Sequence, residues 1–296
     1  AGTLLLLNEY WYSGYQRTHF HFFDDSKEWM QMDKLGHFFN SYFISTWGVR
    51  TYKWAGLNDK NAAIAGAVAS SFLMTSIEVL DGFSEKWGAS AYDLGANMLG
   101  SGLYLSQELL WEEQRVRLKI SAWPQEYPAD IEPRVNDLYG HTVAEWVLKD
   151  YNATVFWLSG NPKSFAPKSF FPKWLNIAVG YGANGLLGGF ENRWCESGNA
   201  GLADCPPDHI IDRSDIPRYR QYYLSLDLDL SKIESGKFPL ILSRQNIIHH
   251  NHHKKSAYQP AQPRCRLAGG SSPGRHPPPR LPPGDDRRLR TPWPIP

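Results

Sequence analysis

Three long stretches of the chain repeat apolar residues at helical spacing. Met30 to about Tyr52, Asp59 to Leu80 and Ala91 to about Lys119 predict three helices. Their interiors are unusually small: Ala62-Ala63-Ile64-Ala65-Gly66-Ala67 in the second, and Gly95, Ala96, Gly100, Ser101 and Gly102 in the third. Each helical glycine costs about 1 kcal/mol relative to alanine, so their accumulation predicts backbones in close approach. Asp81-Gly82-Phe83-Ser84 ends the second helix, and Ser90-x-x-Asp93 reads as a capping box that opens the third. Ala62 to Leu80 carries one charge over close to the ~20 residues that cross a bilayer. Because its residues are small it is only weakly hydrophobic, and a buried helix fits the pattern as well as an embedded one.

The pattern changes after Pro124. Pro124, Pro128 and Pro133 mark a linker, and His141 to Lys149 suits a short helix. Tyr151 to Leu158 is aromatic and β-branched, Asn161 to Pro172 is a proline-rich loop, and Leu175 to Phe190 is apolar and punctuated by glycine. Tyr219 to Leu230 alternates strictly. Tyr222, Leu224, Leu226, Leu228 and Leu230 share one face, with Tyr223, Ser225, Asp227 and Asp229 on the other, which predicts a half-buried strand. Such strands are too few for a closed membrane barrel, which needs about eight. The expected fold is therefore α+β: an N-terminal, small-residue-rich three-helix bundle followed by a short antiparallel sheet. The divisions are an aromatic-rich segment (1–29), the bundle (30–123), a linker with a short helix (124–150), the β region (151–243) and a Pro/Arg-rich tail (244–296) expected to be disordered.

Charge separates body from tail. Residues 1–243 hold 21 Lys+Arg against 28 Asp+Glu, a net of −7, and residues 244–296 hold 10 against 2, a net of +8. The acidic body argues against a nucleic-acid surface. Aromatic residues make up 14% of the chain, with 12 Trp, which suits either a membrane interface or an aromatic core. Leu4 to Leu7 is too short for a span and fits either the remainder of a signal sequence or the start of an element. Cys195, Cys205 and Cys265 lack zinc spacing. Cys195 and Cys205 flank a polar stretch, where a disulfide suits an exported protein and free thiols remain the alternative. His249-His250-x-His252-His253 lies in the low-complexity tail, where adventitious metal binding is the expected reading.

One constellation carries chemistry. Asp33, Lys34 and His37 open the first helix, Glu78 and Asp81 close the second, and Asp93 and Asn97 open the third. Helices of similar length joined by short connectors pack up, down and up, which gathers all three groups at one end. His37, Glu78, Asp81 and Asp93 are the candidate catalytic groups, and Asp33, Lys34, Ser90 and Asn97 the candidate binding groups. Gly36, Ser71 and Thr75 are expected to line the site, with Lys34 paired to Glu78 or Asp81. The bland reading is an internal polar network with a satisfied core histidine; the sharper one is a metal or acid/base site. No nucleophile elbow, phosphate loop or zinc signature is present, and the sequence names neither a cofactor nor a metal.

Several motifs together resemble an uncharacterised family of periplasmic lipoproteins of Gram-negative bacteria. They are Phe20-His21-Phe22-Phe23-Asp24-Asp25, Glu28-Trp29-Met30-Gln31-Met32-Asp33-Lys34-x-Gly36-His37, Glu78-Val79-x-Asp81-Gly82-Phe83-Ser84, Trp87-Gly88-Ala89-Ser90-x-x-Asp93, Lys149-Asp150-Tyr151-Asn152 and Phe171-Pro172-Lys173-Trp174-Leu175-Asn176. The resemblance spans about residues 8–240. The Asp33, Lys34, His37, Glu78, Asp93, Asn97 and Gly100 pattern is also similar, more faintly, to VanZ-like membrane proteins. The resemblance implies a cell-envelope location, periplasm or outer membrane, and membrane or envelope components as partners, with no nucleic acid. The expected role is structural or binding. The alternative is a metal-binding protein or hydrolase acting on a lipid-linked or cell-wall substrate. A bundle that packs on the sheet or a membrane surface, rather than crossing the membrane, fits best.

Overall fold

The computed structural model describes residues 17–196, 202 and 205–233. The tail from 234, with its histidine tract and Cys265, and the first 16 residues lie outside the described residues. Three helices come first: α1 (Met32–Trp54), α2 (Asp59–Asp81) and α3 (Ala91–Trp111). Asn58 caps α2 by accepting from the Asn61 amide, and Ser90 caps α3 by accepting from the Asp93 amide at 3.0 Å. α1 starts two residues later than its periodicity suggests. Trp29, Met30 and Gln31 take positive φ, a costly conformation for residues with a Cβ. Tertiary contacts hold them there: the Trp29 amide donates to Gly189 O, and the Tyr181 hydroxyl donates to Met30 O.

The small residues sit where helices cross. A Cβ on Gly66 would lie 2.5 Å from Val49 Cγ2 and 2.6 Å from the Val49 amide nitrogen, and one on Gly100 would lie 2.2 Å from Phe38 O. The crossings are also polar. Ser41 donates to Asn97 O, Ser70 donates to Ser41 O, and the Ser71 and Ser101 hydroxyls meet at 2.8 Å. Ser71, expected at the polar cluster, is therefore an α2–α3 contact. Gly36 faces the ring of Phe156 and not the site.

The third helix does not continue to Lys119. Glu112 closes it at φ 54°, and residues 116–122 form a strand, β1 (Val116–Ala122). Val116, Leu118 and Ile120 alternate with Arg117, Lys119 and Ser121, a period of two that the preceding helical run obscures. The segment expected to be a linker with one short helix holds two: α4 (Glu132–Tyr139), which is unexpected, and α5 (Val143–Lys149), at the expected place. Then come β2 (Thr154–Gly160), β3 (Leu175–Asn184), β4 (Arg193–Cys195), β5 (Ile210–Asp212) and β6 (Tyr219–Leu228). β1, β2, β3 and β6 form one open antiparallel sheet in that order, and β4 pairs with β5. The α+β architecture of bundle and small antiparallel sheet thus stands. Cys195 and Cys205 are joined in a disulfide beside the β4–β5 pair.

β6 departs from its expected burial. Neither face is buried: Leu224 is 77% and Leu226 69% exposed on the apolar side, and on the other side Tyr223 and Ser225 are exposed and Asp227 is half-buried. α1 covers only the β1–β2 half of the apolar face, with Leu118 against the Tyr42–Val49 cluster and Phe39 against Phe156. β6 lies two strands beyond β2, about 10 Å further across the sheet. The polar face is bridged instead by Lys119 and Ser159, which both donate to Asp227.

The crossing contacts set a mutational contrast. Gly100→Ala should lower stability by about 1–3 kcal/mol, because the Phe38 carbonyl is backbone and cannot swing aside. Gly102→Ala, where an added Cβ meets nothing, should raise it by up to about 1 kcal/mol. Urea unfolding midpoints of the two variants check both signs.

Candidate functional site

The polar cluster assembles at one end of the bundle. The 17–23 segment lies along the connector between α2 and α3, bridging Arg17 to Ser84 and Phe22 to Ala89, and so delivers Asp25 to the helix ends. Lys34 lies among three aspartates: Asp25 at 2.5 Å, Asp33 at 2.9 Å and Asp93 at 2.8 Å. It is not paired with Glu78 or Asp81, the partners expected from spacing. In the first turn of α1, the carboxylates of Asp33 and Asp93 are already within reach of Lys34, and Asp25 arrives from a segment whose path periodicity does not reveal.

His37 and Asp93 converge as expected. His37 Nδ1 lies 3.2 Å from both Glu78 Oε1 and Asn97 Oδ1, and Nε2 lies 3.9 Å from Asp33 Oδ1 and Asp93 Oδ2. Ser90 donates to Asp25 at 2.5 Å, and its amide donates to Glu78 at 3.4 Å. That amide is thus taken by Glu78, while Asp93 turns to Lys34, so Ser90 caps α3 without a reciprocal acid. Asp81 lies just beyond and reaches Glu78 through its charge. Tyr151, ahead of β2, donates to Asp33 at 2.8 Å and links the cluster to the sheet region.

Asp25 and Tyr151 are the two members that spacing did not mark. Both fall inside the quoted motifs, and the doubled Asp24-Asp25 was the available signal. The neighbouring Asp150 forms a second buried node. It accepts from the Tyr127 hydroxyl, from the Trp146 indole at 2.8 Å and from the Asn152 amide.

The carboxylates divide into two kinds. For Asp25, burial is outweighed by hydrogen bonds with Asp93, Lys34 and Ser90, and its pKa falls. Asp33 is likewise lowered, with burial outweighed by His37, Lys34 and Tyr151. Burial and the charge of Asp81 push Glu78 up to about 8, and burial with the charge of Asp33 pushes Asp93 up to about 9. Burial lowers His37, and the aspartates raise Lys34 despite its burial. Near neutral pH, two ionised aspartates face one ammonium, while Glu78 and Asp93 keep their protons and His37 is uncharged. Asp33, His37 and Asp93 also offer ligand atoms within 4.8 Å of one another. This donor set is the part of the cluster that suits a divalent cation, though the Lys34 ammonium stands beside two of its three members.

Residues 21–107 match the family model described as predicted periplasmic lipoprotein (DUF2279). The match bears out the resemblance over a segment that holds Asp25, Asp33, Lys34, His37, Glu78, Asp81, Ser90, Asp93 and Asn97. The family is one of unknown function, and its description supports a place in the cell envelope. No curated protein and no solved structure matches the chain.

The raised carboxylates give a pH dependence. Unfolded carboxyls titrate near pH ~4, so above that pH the folded state binds more protons through Glu78 and Asp93, and stability falls as pH rises. His37 acts in the opposite sense only below about pH 6.5. The unfolding free energy should therefore drop between about pH 6.5 and 9, and Glu78→Gln should flatten part of the drop. Denaturant titrations across that range measure it. A wild-type profile that stays flat would mean both carboxylates are already ionised.

Proposed function

We propose that this is a non-catalytic cell-envelope protein of structural or binding role, located in the periplasm or at the outer membrane. Its polar cluster is an internal lock on the bundle. The observation that carries this reading is Lys34, whose ammonium lies within 2.9 Å of Asp25, Asp33 and Asp93 and so takes the place a metal or a substrate group needs. A buried cation held by the two ionised aspartates Asp25 and Asp33 and by the carboxyl of Asp93 makes a fixed joint, whereas a working acid or base needs open access to the group it serves.

A second reading rests on the Asp33, His37 and Asp93 donor set. In it, a cation displaces Lys34, Glu78 and Asp81 assist as acid or base, Ser90 and Asn97 orient the ligand, and the protein acts on a lipid-linked or cell-wall substrate. The Cys195–Cys205 disulfide fits an oxidising compartment under either reading.

Metal analysis of purified protein separates the two. The lock predicts no stoichiometric metal in wild type. It also predicts that Lys34→Met costs about 3–5 kcal/mol, because removing one partner leaves buried carboxylates unpaired. A bound metal lost in His37→Ala, together with mild destabilisation by Lys34→Met, would establish the second reading instead.

A further inference from the structure

The outer face of α2 and α3 is apolar, uncharged and uncovered among the described residues. Ile64, Val68, Phe72 and Val79 project from α2, and Tyr92, Met98, Leu99, Leu109 and Leu110 from α3. Phe72 is 70% and Leu99 68% exposed. An added Cβ on Gly95 or Gly102, on the same stripe of α3, would meet nothing. No Asp, Glu, Lys or Arg occurs in residues 61–77 or 94–107, a charge-free band about 25 Å long on α2. Charged residues bound it at both ends: Asp59, Lys60 and Glu108 at one, Asp81, Glu85 and Lys86 at the other.

Two serine hydroxyls on the face are turned back into their own helices, and the Tyr92 hydroxyl lies at the charged end of α3, beside Asp93. Ser76 donates back to Phe72 O and Ser106 to Leu103 O. A protein partner's interface carries hydrogen bonds, about one per 100–200 Å²; hydrocarbon requires none. The charge pattern and the satisfied serine hydroxyls both complement an acyl layer.

α2 is, among the described residues, the helix long and apolar enough to cross a membrane, yet the sheet argues against crossing. β1 and β2 run beside α1 from Gly36, against Phe156, to the Val49 cluster, against Leu118, and Tyr42 donates to Val116 O. Any depth that immerses the whole bundle also immerses the sheet. Its outer strands β1 and β6 have unpaired edges among the described residues, and its polar side holds the Lys119–Asp227 and Arg117–Asp229 pairs. Hydrocarbon does not accept open strand edges.

We propose that the α2–α3 face lies in one leaflet of a phospholipid bilayer, with its helices near the membrane plane and the sheet outside. The apolar stripe then reaches about 5–10 Å into the acyl boundary, and the charged helix ends stay among the headgroups. This contact is independent of the role of the polar cluster.

Spin labels on the full chain test it, with Cys265→Ser removing the thiol outside the disulfide. Phe72→Cys, Met98→Cys and, as the aqueous reference, Asp208→Cys are each labelled and mixed with phosphatidylcholine–phosphatidylglycerol vesicles. The ratio of oxygen to nickel-chelate accessibility should rise several-fold at 72 and 98 and stay unchanged at 208. Lys60→Cys, at the start of α2, and Glu85→Cys, in the connector just past its end, should both react with a membrane-impermeant thiol reagent added outside sealed vesicles. Reaction at one end alone would show a crossing helix and overturn the proposal. So would labels at 72 and 98 that remain in water, or that become shielded only as protein concentration rises, the mark of a second copy on this face.

Discussion

The bundle depends on one buried ammonium. Lys34 draws together Asp33 from its own helix, Asp93 from the start of α3 and Asp25 from the segment that precedes the bundle. Asp33 extends the joint to Tyr151 and Asp25 extends it to Ser90. An ion pair in a buried site contributes little beyond its own desolvation, but it strongly disfavours every arrangement in which a partner is missing. That selectivity suits a bundle whose interior offers little else to fix its register. Serines and glycines fill the crossings, and the apolar core cluster within the bundle joins only Tyr42, Val49, Ala62 and Tyr104.

The small residues and the ionic joint serve the same end. Gly48, Gly66 and Gly100 let backbones approach until carbonyls and hydroxyls are within reach across helices. Ser41 and Ser70 then satisfy each other and the neighbouring chain. Packing of this kind leaves the larger apolar side chains without room inside. Phe72, Met98, Leu99 and Leu110 point outward for that reason, which gives the exterior its unusual character for a protein with a polar interior. The sheet repeats the inversion: Asp227, Ser159 and Asn176 bond beneath it while Leu224 and Leu226 stay open.

What the sequence determined by itself is what local chemistry controls. Helical periodicity, the Ser90 cap and the short connectors placed three antiparallel helices, and with them His37, Glu78, Asp93 and Asn97 at one end. The alternation of Tyr219 to Leu230 placed β6, and the spacing of Cys195 and Cys205 marked the disulfide as one of two options. Tertiary structure decided what depends on contacts distant in the chain. It took Lys34 to Asp25, because the 17–23 segment pairs with the α2–α3 connector, and it ended α3 at Trp111, because Val116 to Ala122 finds β2. It also left the apolar face of β6 open. Alternation shows that a strand has two unlike faces, but which face is covered depends on how far α1 reaches across the sheet, and no local pattern encodes that reach.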